Sequence, residues 1–161
     1  MQQNHIEIKE VQFANAQLLP EIVKLMEEGH SVTLRLRGFS MRPFLEDNRD
    51  KALIVKAISP RVGDAVLAEI EPKHYVLHRI IKINGDQVTL RGDGNLNTEQ
   101  CLLADVKGFV IGFYRKGRKK MDKTNGLKWR AYSFVWTRLF PIRRYLLAFY
   151  RRIWLKFFRP I

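Results

Sequence analysis

The chain has 161 residues, of which 46% are hydrophobic, with a single cysteine and a formal charge of +13. That length supports one core with an appendage rather than two full domains, and one cysteine excludes an intramolecular disulfide and a cysteine-rich metal site. The charge is uneven: from Arg115 onward 15 Lys/Arg stand against one acid, Asp122, whereas residues 1–114 carry 14 basic and 15 acidic side chains, so charge-driven partners are sought by the tail.

The N-terminal MQQNHIEIKE has neither the basic start nor the unbroken apolar run of a secretory signal. No later segment offers the roughly 20 apolar residues that span a bilayer, which predicts a protein of the cytoplasmic side. In LLPEIVKLMEE, residues 18 to 28, Leu18, Leu19, Ile22, Val23, Leu25 and Met26 recur at helical spacing, with Pro20 near the start and Gly29 past the end. This predicts one short amphipathic helix. The next run, SVTLRLRG, alternates Val32, Leu34 and Leu36 with Thr33, Arg35 and Arg37, the period of a half-buried strand. It delivers GFSMRP, where Gly38 allows unusual backbone angles and Pro43 restrains its neighbour, so a short loop presents the Ser40 hydroxyl.

Further strand patterns follow in KALIVKAI, DAVLAEI, YVLHRIIKI, QVTLRG and VKGFVIGFY, separated by Gly, Pro, Asn and Asp. The fold class they predict is mainly β: a compact, twisted antiparallel domain with a short N-terminal helix and C-terminal amphipathic helices. The chain divides into an N-terminal segment (1–30), a β domain (31–114), a basic linker (115–126) and a basic, aromatic helical tail (127–161). Cys101, within CLLADV, reads as a buried, inert thiol.

YVLHRIIKI and QVTLRGDGN flank Asn84-Gly85-Asp86, a hairpin signal. A loop of Asn84-Gly85 places His78 opposite Arg91 with Asp93 as diagonal neighbour, and a loop of Gly85-Asp86 places His78 opposite Asp93. Both put imidazole and carboxylate on one face, with Cβ atoms roughly 5 to 8 Å apart. A hydroxyl is a weak nucleophile until a base takes its proton, and an imidazole oriented by a carboxylate does this near neutral pH. Ser40, His78 and Asp93 are therefore the candidate catalytic set, although singly each also fits a turn serine, a strand histidine and a turn aspartate. His74 and His78 match H-x-x-x-H, but on a strand their rings lie roughly 13 Å apart, so no metal is predicted. No glycine-rich loop precedes a helix to hold a phosphate, and no cofactor is expected. Were a lysine the base instead of His78, Lys51, Lys56 and Lys82 are nearby in sequence.

GFSMRPFL, VGDAVLAEI, VLHRIIKI and RGDGN, in that order, resemble the conserved boxes of the signal peptidase and LexA-like serine peptidase superfamily over roughly residues 31–113. The histidine at position 78 resembles the histidine-type branch, comprising archaeal, endoplasmic-reticulum and sporulation-type signal peptidases, rather than the lysine-type branch. The resemblance implies Ser40 as nucleophile, His78 as general base and Asp93 as the aspartate of the GD-N box. The branch's second acid, a few positions later, falls here on Glu99, with Asp105 further on, so these are alternative orienting acids. The turn at Ser40 would supply backbone amides to an oxyanion, and the resemblance implies a preference for small side chains before the cut.

The tail divides around Pro141. Beyond it Arg144, Arg151, Arg152 and Arg159 lie apart from Leu146, Tyr150, Ile153, Trp154, Phe157 and Phe158, the pattern of a helix lying in an anionic membrane surface. Docking onto the body or a second subunit, and nucleic acid bound through bases and aromatics, are the rival readings. The function predicted is a signal-peptidase-like serine endopeptidase acting on a peptide or protein substrate and peripherally membrane-associated by its tail. The alternative is a non-catalytic β module binding a membrane surface or nucleic acid through that tail.

Overall fold

The two-residue alternation of the sequence folds into strands, and in several of them buried and more exposed side chains alternate. The computed structural model describes residues 15–161; the reading of MQQNHIEIKE lies outside them. Its strands are β1 (Val32–Arg35), β2 (Lys51–Lys56), β3 (Ala65–Glu71), β4 (His74–Asn84), β5 (Gln87–Arg91), β6 (Glu99–Leu102), β7 (Val106–Tyr114) and β8 (Asp122–Lys123). They form one open antiparallel sheet in the order β1-β2-β7-β3-β4-β5-β6, with β8 beside the far end of β7. The mainly β class with flanking helices is therefore what the chain adopts.

The first helix, α1 (Asn15–Glu27), starts three residues before the predicted span, so Pro20 lies inside it. Its end follows from Gly29. At φ +93° that residue turns the chain so that its amide reaches the Met26 carbonyl at 3.1 Å and the His30 amide reaches Leu25 at 3.0 Å, the paired bonds that close a helix C-terminus. The buried stripe Leu19, Ile22 and Met26 packs over the sheet in one core cluster with Phe44, Ile54 and Phe113. A second cluster, including Val66, Ile80, Leu90 and Cys101, fills the other face. Because Val66 and Leu67 are both buried on successive positions of β3, that strand is covered on both sides.

Residues read as a charged linker contribute structure of their own. Met121 lies against Gly112, Asp122 pairs with Lys128 at 2.7 Å, and β8 results. The tail then runs through α2 (Leu127–Arg138), a 3₁₀ turn at Phe140–Ile142, α3 (Arg143–Phe149), a π-helical stretch Tyr150–Trp154 and a last turn α4 (Leu155–Phe157). Among the described residues, no helix is long and apolar enough to cross a membrane. Trp129 of α2 belongs to the first core cluster, with its ring 5.0 Å from Phe44 and 4.8 Å from Phe113. The start of the tail is thus packed on the body. Trp129→Ala is expected to destabilise the whole molecule by about 3–5 kcal/mol, measured by urea unfolding; a loss below about 1 kcal/mol, the ordinary range of a surface change, would show that α2 is only laid against the sheet.

Candidate active site

Ser40 lies half-buried in a loop, residues 36–50, that is closed at its base. The Leu36 amide bonds to the Asp50 carbonyl and the Asn48 amide to the Leu36 carbonyl, both at 2.9 Å. Gly38, at φ +85°, turns its amide onto Asp47 Oδ1 at 2.7 Å. Inside, the Asp50 carboxylate accepts the amides of Glu46 and Lys116 at 2.9 Å each, and Arg49 at 2.8 Å. Burial alone would raise that carboxyl's pKa, but these bonds hold it below its ordinary value. The Arg42–Pro43 peptide is cis, and Arg42 Nε donates to the Glu46 carboxylate at 3.0 Å. Among the described residues, neither the Ser40 hydroxyl nor the Ser40 and Met41 amides have a hydrogen-bond partner.

The hairpin carrying His78 has the Gly85-Asp86 loop, with Asn84 paired to Gln87 and Lys82 to Thr89. A bulge at Ile81 then moves the register by one residue, so that Ile80 faces Leu90 and Arg79 faces Arg91. This overturns the expectation that His78 and Asp93 share a face, because a one-residue slip sends side chains to opposite sides. Continuing the shifted register sets His78 against Gly92 and puts Asp93 on the side of Arg79.

The contacts follow that sorting. Asp93, 1% exposed, binds Arg79 through two bonds, Nε to Oδ1 at 2.9 Å and Nη2 to Oδ2 at 2.7 Å. It also accepts the Tyr132 hydroxyl at 3.0 Å, and its carbonyl accepts Trp136 Nε1 at 2.9 Å. Arg79 reaches Ser133 Oγ at 2.7 Å as well. Asp93 is therefore the anchor of α2, not the acid on the imidazole. Burial pushes the Tyr132 hydroxyl well above its ordinary pKa, and the Asp93 charge pushes the same way.

His78 meets Glu99 instead, Nδ1 to Oε2 at 2.9 Å. Glu99 stands on β6 opposite Leu90, and Leu90 is opposite Ile80, so it falls on the His78 side of the sheet. Burial drives the imidazole pKa below its ordinary value, opposed by Glu99 and more weakly by Asp93. The remaining alternative, Asp105, is spent on the Leu102 amide and Lys107, both at 3.3 Å.

Glycines bring Ser40 and His78 together. A side chain on Gly92 would start 2.4 Å from the Ser40 carbonyl and 3.0 Å from His78 Nε2, and one on Gly94 would start 2.5 Å from the Phe39 carbonyl. The Gly94 amide donates to that Ser40 carbonyl at 2.7 Å. Ser40, His78 and Asn95 border an open cleft of about 310 Å³ whose apolar walls include Leu34, Leu36, Tyr75 and Leu77. A second hollow of about 260 Å³, also bordered by Ser40, lies between Phe39, Asn95 and the tail residues Leu147 and Tyr150. In RGDGN the two glycines, as well as the aspartate, carry the signal, because only they permit so close a backbone approach.

No family model matches the chain, and no curated protein matches it.

With Arg79 2% exposed, removing Asp93 would strand a buried cation. Asp93→Ala is expected to cost about 3–5 kcal/mol in urea unfolding, whereas Glu99→Gln, at a side chain 27% exposed, costs markedly less; equal losses would contradict the division of labour between the two acids.

Proposed function

We propose that the chain is a serine endopeptidase of the signal-peptidase type. The observation that carries this reading is the partly buried Glu99–His78 contact, which leaves the other ring nitrogen, Nε2, beside the backbone of Ser40 at the edge of a largely apolar cleft. Glu99 holds the Nδ1–H tautomer, so Nε2 is the basic nitrogen. In the reaction Nε2 takes the Ser40 proton as Oγ attacks the peptide carbonyl, then passes it to the leaving amine. Water, deprotonated by the same nitrogen, hydrolyses the acyl-enzyme. The amides of Ser40 and Met41 are the donors available to the oxyanion. Bond formation to Nε2 requires the hydroxyl to close on the ring, a tightening common when substrate binds. The similarity of GFSMRPFL, VLHRIIKI and RGDGN to the histidine-type boxes supports the same assignment of Ser40 and His78.

A fluorophosphonate probe tests this reading. Labelling is expected in the native protein, absent in Ser40→Ala and His78→Ala, and at least about 100-fold slower in Glu99→Gln, where the tautomer is no longer held. The base must be neutral to act, and burial lowers the His78 pKa. The labelling rate should therefore fall as pH is lowered, with its midpoint below the imidazole's ordinary 6.5. Equal labelling of all four proteins would leave the β fold as a binding module without chemistry.

The tail supports peripheral association with an anionic membrane. Its inner residues Trp129, Trp136, Leu147 and Tyr150 are buried on the body, while Phe134, Tyr145, Phe149, Ile153 and Phe157 are exposed beside the exposed Arg144, Arg151 and Arg152. Tyr150, on the apolar side read from the sequence, is thus spent on the body. Substitution rather than truncation is the proper test, since truncation would uncover the core around Trp129. At about 1 kcal/mol for each base near such a surface, Arg144→Glu, Arg151→Glu and Arg152→Glu together should weaken co-sedimentation with phosphatidylserine vesicles by roughly 100-fold or more; unchanged binding would remove the membrane from this reading.

A further inference from the structure

The short turn from Gly92 to Asn95 lies between two elements far apart in the sequence. On one side Gly92 and Gly94 carry the loop of Ser40, whose carbonyl accepts the Gly94 amide at 2.7 Å. On the other, the Asp93 side chain and carbonyl are held by Tyr132 and Trp136 of α2. Asp93 is joined through the chain to both glycines, and Gly94 is itself bonded to the Ser40 carbonyl, so a displacement of Asp93 reaches the Ser40 loop. A further restraint comes from Arg143, whose Nη2 donates to the Trp136 carbonyl at 2.8 Å and ties α3 to the same point.

We propose that Tyr132 and Trp136 are positioning residues for Ser40, acting through Asp93, so that the docked tail is part of the site's construction as well as a surface anchor. Their bonds to Asp93 are additional to its bidentate pair with Arg79, so removing them leaves the buried charge compensated. What they add is a second direction of restraint: Arg79 holds Asp93 from β4, whereas the hydroxyl of Tyr132 and the indole N–H of Trp136 hold it from α2 and so fix the turn that carries the Ser40 loop. The catalytic consequence rests on the assignment of Ser40 as nucleophile.

The test uses the full-length double variant Tyr132→Phe and Trp136→Phe, which keeps an aromatic ring at each position and removes both donors, Trp136→Phe also shortening the ring. With a fluorophosphonate, the labelling rate at saturating probe should fall roughly 10- to 100-fold, the range that small misplacements of reacting groups produce. The half-saturating concentration, the final stoichiometry and the pH midpoint should stay as in the native protein, because the cleft walls and the Glu99–His78 pair are untouched. A rate equal to native, or a loss matching a lowered final stoichiometry, would overturn the proposal. Hydrogen exchange supplies an arm independent of chemistry: the Gly94 amide should exchange faster in the double variant while the Leu90 amide does not change. Absence of labelling in the native protein would sink the hydrolase assignment alone, and the Gly94 exchange would then decide the positioning claim, unchanged protection overturning it.

Discussion

Side chains on a strand alternate faces, and the bulge at Ile81 uses that constraint to sort two neighbours of β4 into different tasks. His78 is sent toward Gly92, Glu99 and the Ser40 loop, and Arg79 toward Asp93 and α2. Without the extra residue the imidazole would face Asp93 and the guanidinium would lose its carboxylate inside the protein. The same register sets the glycines of the following turn beneath Ser40, so the cleft and the tail dock both depend on one inserted residue.

Burying a charge pair is costly unless every remaining donor and acceptor is matched. Around Asp93 that matching is nearly complete for the acid: both carboxylate oxygens and the backbone carbonyl are bonded. The cations are in excess. Arg79 spends further donors on Ser133 Oγ and the Gly63 carbonyl and lies 4.8 Å from the Trp129 ring centre, while Arg91 and Arg143 lie against the Phe140 ring at 3.7 and 5.3 Å. Aromatic faces thus take the positive charge that carboxylates do not, which explains why a tail so rich in bases still folds onto the body. By contrast the His78–Glu99 pair keeps partial access to solvent at the acid.

Much of the architecture was legible because its signals are local. β7 reads as VKGFVIGFY, a long alternating run, and the helix before Gly29 carries both its apolar stripe and its stop. The strand Glu99–Leu102 was not visible, since EQCL is too short to show a period and is held mainly by pairing with β5. With that strand hidden, Glu99 appeared only as an alternative acid. The bulge was equally hidden: Ile80 and Ile81 are the same residue type, so nothing in IIKI marks which of them lacks a partner. In the tail, periodicity revealed an apolar side but could not divide it. Trp129 and Trp136 are buried where Phe134 is exposed, and only the position of the sheet underneath decides that.

An open sheet has two ends, and among the described residues both are four-residue strands, β1 and β6. Each offers a neighbouring polypeptide only a handful of main-chain donors and acceptors, and β1 turns Thr33 and Arg35 outward. Stacking of copies edge to edge into a continuous ribbon is disfavoured by that brevity and charge. Short edges of this kind leave little main chain on which one copy could extend the sheet of another.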